Sequence, residues 1–154
     1  MPKLSQPKIK LPKRYCFSIV HSVVDYENYT YIYLNDKSLT KTGMIDNRWM
    51  MNGGTRIGRV TLAPSSFRKD KKFFYRTHST LDSKYHGKGL GTMMYAKAIQ
   101  WALSEGHRVS SSGDSSMLAK RMWTGKSIRK YCKVVARVRA DGRPIWYCYS
   151  KGVK

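Results

Sequence analysis

Between residues 85 and 92 the chain reads Tyr-His-Gly-Lys-Gly-Leu-Gly-Thr, and no other stretch restricts the fold as much. Gly87, Gly89 and Gly91 fall within five positions, after a β-branched and aromatic run and before a strongly helical one. Backbone without Cβ atoms turns sharply and can present several N–H groups to a ligand. The helix that follows aims the positive end of its dipole at the same place. The spacing therefore predicts an anion site at a strand-to-helix turn.

The flanks fit that reading. Residues 73–81 (FFYRTHSTL) have strand composition and run straight into the glycines. Residues 92–104 (TMMYAKAIQWALS) form the strongest helix signal in the chain. Lys97, Gln100 and Ser104 share one stripe of it, and Tyr95, Ala98, Ile99, Trp101 and Ala102 cover the rest, so most of its circumference is buried. Gly106 ends it.

Upstream, Tyr15–Val24 and residues 29–34 read as strands, with residues 25–28 as the turn between them. The alternation of Tyr29, Tyr31 and Tyr33 suits a base-stacking platform or one packed face of a sheet, the second being the commoner meaning of such a stripe. Residues 35–52 are polar and poorly patterned, a short helix or a loop folded over a pocket. Residues 56–63 are a further strand, and residues 68–72 (RKDKK) a charged turn. Downstream, residues 108–112 suit a short strand, and Asp114 or Ser115 caps a second helix running to about Lys130. Residues 134–139 and 145–149 flank Ala140-Asp141-Gly142-Arg143, whose Asp-Gly pair signals a hairpin. The class is α/β (α+β): a mixed, mostly antiparallel sheet flanked by helices, with a C-terminal β-hairpin.

A chain of 154 residues suits one domain over residues 15–154. Residues 1–14, with Pro2, Pro7 and Pro12 and no acid, form an extended basic arm that is ordered only if it docks. No apolar run approaches the ~20 residues of a membrane span, and the basic start lacks the apolar core of a secretory signal. Cys16, Cys132 and Cys148 are odd in number and widely spaced, which predicts neither a disulfide framework nor a zinc site and suggests a reducing, cytoplasmic setting. Thirty Lys and Arg against nine Asp and Glu leave a net charge of +21, a field that attracts RNA, DNA, an acidic protein or anionic lipid. Lys120, Arg121, Lys126, Arg129, Lys130 and Lys133 lie in a stretch without acids and are the candidate contacts to such a macromolecule, with the N-terminal arm. If the second helix reaches Lys130, spacings of three and four gather Lys126, Arg129, Lys130 and Lys133 on one face. The oligomeric state is open, a homodimer included.

Two common glycine motifs do not fit. A P-loop needs G-x-x-x-x-G-K-[ST], and Lys88 stands in the wrong place. A dinucleotide fold needs an early βαβ unit, and here several strands come first. The segment Leu81-Asp82-Ser83-Lys84-Tyr85-His86-Gly87-Lys88-Gly89-Leu90-Gly91 instead resembles the strand and pyrophosphate loop of the GCN5-related N-acetyltransferases, written [QR]-x-x-G-x-[GA]. Ser116-x-x-Ala119-x-x-Met122-Trp123 is similar to that family's N-x-x-A-x-x-L-Y, whose helix flanks the pantetheine arm of the cofactor. The resemblance covers roughly residues 55–150, and residues 110–116 with Trp123 look like small phage-encoded members, which would work in a host cytoplasm.

That resemblance implies acetyl-CoA as cofactor and direct acetyl transfer to an amine presented by an acidic partner, a protein or an aminoacyl-tRNA. Its residues imply that His86, Gly87, Lys88, Gly89, Leu90, Gly91 and Thr92 hold the pyrophosphate, that Thr80 and Leu81 pair with the pantetheine, and that Ser116 and Trp123 flank it. The chain departs from the pattern twice. His86 replaces Gln or Arg, and Trp123 stands where the family often has a tyrosine acid. Indole cannot supply that proton, so Tyr131 is the candidate acid, with Ser115 and Ser116 as the alternatives. His78 and Asp82 are the candidate bases, although His78 also suits a half-buried strand histidine and Asp82 a strand-end partner of local cations. The alternative function is a protein that keeps the fold without efficient catalysis and binds nucleic acid or an acidic protein through its basic surface.

Overall fold

Runs of aromatic and β-branched residues put Tyr15–Val24 (β1) and Glu27–Asp36 (β2) into an antiparallel hairpin. Its turn is only Asp25 and Tyr26, both at positive φ (50° and 64°), the twist that suits two-residue hairpins. The computed structural model describes residues 8–38, 43–45, 48–51, 54–64, 74–111 and 117–149. The expected charged turn at 68–72, and Asp114, Ser115 and Ser116, lie outside these residues.

The stretch expected as a helix or loop at 35–52 instead holds the end of β2 and two short strands, Gly43–Ile45 (β3) and Arg48–Met51 (β4). They pair with each other, and β4 pairs with the start of Gly54–Pro64 (β5). Such short strands carry too few residues to show an alternation. Beyond β5 come Phe74–Leu81 (β6), Arg108–Ser110 (β7), Lys133–Val138 (β8) and Pro144–Tyr149 (β9). The sheet order is β1-β2-β5-β6-β7-β9-β8, mostly antiparallel, with the C-terminal hairpin β8–β9 at one edge. Gly142, at φ 81°, turns that hairpin where the Asp-Gly pair predicts it.

Among the described strands one pair is parallel, β6 with β7, and its contact is brief. It runs from Phe74 opposite Arg108 to Arg76 opposite Ser110, and there the strands part. Thr77 donates its hydroxyl to the Ser110 carbonyl (2.9 Å) at the fork. Ser111 then turns to Trp146, donating its N–H to the Trp146 carbonyl (2.8 Å) and accepting at Oγ from the Trp146 N–H (3.0 Å). Among the described residues, 77–81 of β6 have a strand partner only in β5, and Ser79–Leu81 line a cleft on the other side.

The core lies under Leu90–Ser104 (α1), whose Met94, Ala98, Ile99 and Ala102 bury against Ile32 and Leu34 of β2 and Val60 and Leu62 of β5. Each large side chain buried there contributes about 1.5–3 kcal/mol. Gly58 of β5 lets the helix sit this low. A Cβ there would lie 2.6 Å from Met94 Sδ and 2.9 Å from Leu81 Cδ1.

The second helix, Met117–Thr124 (α2), stops short of the expected Lys130. Thr124 turns its hydroxyl back on the Lys120 carbonyl (2.7 Å), and Gly125 follows with its N–H on Met122 O at 3.3 Å, a tightened last turn. Ile128–Lys130 is a separate 3-10 turn. The basic residues accordingly do not share one helical face. Lys120 and Arg121 are exposed on α2, Lys126, Arg129 and Lys130 on the turns after it, and Lys133 at the start of β8.

One expectation is overturned outright. Cys132 and Cys148, both buried, form a disulfide with Cα atoms 5.7 Å apart. The β8–β9 hairpin sets Val134 opposite Cys148, which brings Cys132 alongside, a proximity that spacing in the sequence does not reveal. Of the N-terminal arm, residues 8–14 dock, with Ile9 and Leu11 packed on the core and the Arg14 carbonyl bonded to the Lys37 N–H (2.7 Å).

Candidate active site

Where β6 ends, Asp82 caps a 3-10 turn over Ser83–Tyr85, accepting from the Lys84 N–H at 3.4 Å. Tyr85 is buried and donates its hydroxyl to Asp36 Oδ2 at 2.7 Å. Asp36 is fully buried at the end of β2 and is also gripped by Arg14, with Nε 3.0 Å from each carboxylate oxygen and Nη2 2.7 Å from Oδ2. The Ser38 N–H (3.0 Å) and hydroxyl (2.7 Å) complete the set at Oδ1. Burial alone would raise the Asp36 carboxyl, but the bonds from Arg14, Ser38 and Tyr85 outweigh it and hold it well below the usual carboxylate range. Tyr85 is pushed up, first by burial and then by Asp36. This network fixes the entry to the glycine turn, and nothing local in the sequence announces it.

From Tyr85 the chain passes through His86, whose Nε2 lies 2.8 Å from the Leu81 carbonyl, and into the glycines. Gly87 and Gly89 sit at φ 79° and 76°, left-handed backbone that side chains with a Cβ rarely adopt. Gly89 is the N-cap of α1, with no side-chain cap bond and no acid in the first turn. The first intrahelical bond runs from the Met93 N–H to Gly89 O (3.2 Å), so the N–H groups of Leu90, Gly91 and Thr92 have no carbonyl a turn earlier. A Cβ added at Gly87, Gly89 or Gly91 would meet nothing within 4 Å. The turn is an open nest of donors with a helix dipole behind it and no acid among the described residues that line it.

That nest forms one end of a cleft of about 540 Å³. Ser79, Thr80 and Leu81 of β6 line it beyond the fork, with Tyr85–Gly87, Gly89–Thr92, Met94 and Tyr95 on one side and Ala119, Arg121 and Met122 of α2 on the other. Tyr95 is buried, with its hydroxyl 2.8 Å from Ser79 Oγ. Burial raises its pKa against the opposing bonds to Ser79 and Thr77, so the phenol keeps its proton at neutral pH. The fit to acetyl-CoA is good on these grounds. There are donors and a cation, Arg121, for the phosphates, a strand edge with no strand partner among the described residues to pair with amides, and apolar lining from Leu81, Leu90, Met94, Ala119 and Met122.

Of the residues the sequence assigns to the cofactor, Thr80, Leu81, His86, Gly87, Gly89, Leu90, Gly91 and Thr92 line this cleft. Lys88 stands outside the lining, 5.7 Å over the Tyr85 ring. Trp123 is fully buried behind Tyr95, with ring centroids 5.8 Å apart in an edge-on contact, and Nε1 has no partner among the described residues. The three candidate catalytic residues are not brought together. His78 is exposed on β6 opposite Thr61, Asp82 is the cap of the 3-10 turn, and Tyr131 is half-buried against the core. None of them lines the cleft. Two phenols do line it: Tyr85, whose hydroxyl is bonded to Asp36, and Tyr95, which carries in the sequence only the signal of a core position.

Three comparisons bear on this arrangement. The family model described as "Acetyltransferase (GNAT) family" matches residues 16–122, from β1 into α2. No curated protein matches the chain. Solved structures that resemble it include the aminoglycoside acetyltransferase AAC(6')-Ib in complex with coenzyme A (TM-score 0.51, 14% identity, 80% of this chain and 66% of that one). Others are the ribosomal-protein-S5-alanine acetyltransferase from Vibrio fischeri (0.52, 16%, 82% and 64%) and the yncA protein from Salmonella typhimurium with acetyl-CoA (0.50, 13%, 78% and 62%). The chain thus spans just under two thirds of the length of these proteins, and at such identities the likeness speaks for the fold. With the family match over most of its length, this chain belongs to the GNAT acetyltransferase family.

Proposed function

We propose that the protein transfers an acetyl group from acetyl-CoA to an amine carried by an acidic partner, by direct attack. The observation that carries this reading is the cleft itself, a donor-lined glycine turn at one end and an unpaired strand edge along its side. When bound, acetyl-CoA supplies an activated acetyl thioester. The N–H groups from Gly87 to Thr92 and the Arg121 guanidinium hold phosphate, and the backbone of Thr80 and Leu81 orients the pantetheine amides. Tyr95 is the proton donor of the site, held neutral by burial and aimed by Ser79. The proton of the incoming amine passes to solvent, because His78, Asp82 and Tyr131 lie outside the cleft lining.

An acidic partner follows from charge. A chain of +21 repels a polycation such as the aminoglycoside for which one similar structure is named. It draws in RNA, DNA or an acidic protein. No helix among the described residues is long and apolar enough to cross a membrane. The test is a melt with millimolar acetyl-CoA, followed by mass analysis of aminoacyl-tRNA and acidic peptides incubated with labelled cofactor. A raised Tm and an acceptor heavier by one acetyl group support the proposal, and an unshifted melt of folded protein removes it. A second reading rests on Trp123, whose buried indole stands where an acid is usual. It keeps cofactor binding and gives no acetylated product.

A further inference from the structure

Strand β2 has two faces of opposite character. Thr30, Ile32 and Leu34 are buried toward α1, so the period of two sends Tyr29, Tyr31 and Tyr33 to the other face, where all three remain half-buried. Their rings stand in a near-parallel row, 6.5 Å and 14° between Tyr29 and Tyr31, and 6.1 Å and 25° between Tyr31 and Tyr33. Strand β5 lays two cations on this row. The Arg56 guanidinium is 3.9 Å from the Tyr33 ring centre, and that of Arg59 is 5.6 Å from Tyr31. A face meant only for core packing would bury these rings against apolar side chains. This one interleaves aromatic surface with guanidinium.

The row also leads to the cleft. Tyr33 pairs with Arg59, and Arg59 pairs with Thr80, which lines the cleft. Two residues along the same face, Tyr31 pairs with Thr61 and Thr61 with the exposed His78. The aromatic face and the candidate transfer site therefore share an edge.

We infer that this face binds single-stranded nucleic acid, with bases stacking on Tyr29 and Tyr31 and phosphate on Arg59. Stacking on aromatic rings is indifferent to base identity but needs unpaired bases, and each stacked base contributes about 1–3 kcal/mol. Charge complementarity selects this occupant over a cationic peptide, because the chain carries +21. An acidic peptide would satisfy the arginines and leave the tyrosine row without a planar partner. This names the class of the acidic partner proposed above and rests on that reading only for its bearing on the acceptor. Binding is measured without turnover, so its failure leaves the cofactor melt as an independent result.

The experiment is fluorescence anisotropy of the full chain with labelled oligo(U) and oligo(dT) of about twenty nucleotides, a duplex of equal charge, and polyglutamate as competitor. Preference for single strands over the duplex is expected, and the RNA and DNA arms tell which sugar the face accepts. Tyr31→Leu, which keeps apolar bulk, weakens single-strand binding roughly five- to a hundredfold with an unchanged salt slope, while Tyr31→Phe retains it. Neutralising Lys126, Arg129 and Lys130 together lowers the salt slope and leaves the single-strand preference. If Tyr31→Leu does not fold, Tyr29→Leu near the hairpin end gives the same readout. Equal affinity for the duplex, an unchanged affinity in the folded leucine variant, or displacement by polyglutamate at equal charge overturns the inference.

Discussion

Tyr85 donates its hydroxyl to Asp36 across 2.7 Å, joining the residue just before the glycine turn to the last residue of β2, 49 positions earlier. Arg14, from the segment ahead of β1, closes on the same carboxylate. Three distant pieces of chain thus meet at the entry to the cleft.

The acid limb of stability should report this contact. The folded Asp36 carboxyl is depressed, so the stability it contributes is complete above the unfolded value of ~3.9 and is lost as the pH falls through the folded value. Melts between neutral pH and pH ~2 should show a steep loss below pH ~4 that is flattened in Asp36→Asn. Tyr85→Phe, which removes one donor from a buried charge, should cost about 1–3 kcal/mol near neutral pH. An unaltered acid limb in Asp36→Asn would show that the contact does not hold the loop.

Tyr95→Phe separates chemistry from binding. Loss of the phenol should lower kcat by roughly 10²-fold while acetyl-CoA affinity stays the same. Steady-state kinetics beside calorimetry reads both quantities, and undiminished turnover would assign the proton to another group.

Gly58→Val tests the seat of α1. The new side chain meets Met94 and Leu81 inside contact distance, and such overpacking costs about 1–3 kcal/mol. A fall in Tm of roughly 2–4 °C per kcal/mol is expected for a chain of this length. A melt equal to that of the parent would mean that the helix rides higher on the sheet.

Much of this fold is written locally. The glycine turn, the buried helix after it and the Asp141-Gly142 hairpin each rest on a few adjacent residues whose backbone demands are specific. What the sequence does not display is assembled at a distance. The grip of Arg14 and Tyr85 on Asp36, and the meeting of Cys132 with Cys148, depend on register between strands rather than on spacing. The end of α2 at Thr124 was hidden because Lys126 to Lys130 continue a helical composition past the Gly125 turn. Tyr95 was hidden differently. A buried tyrosine on an apolar helix reads as core, and only the cleft beyond the fork between β6 and β7 makes it a lining residue, with its hydroxyl on Ser79.

Gly91 offers the most direct test of the cofactor site. Its φ is not in the left-handed region, and a Cβ there has open space, so Gly91→Glu should fold and even gain from a carboxylate in the first turn of α1. The same side chain occupies the nest and repels phosphate. Titration calorimetry of acetyl-CoA into the parent and Gly91→Glu should give saturable binding in the first and none in the second, at equal or higher Tm without cofactor. Equal binding by both proteins, or none by the folded parent, would contradict the assignment of this turn to acetyl-CoA.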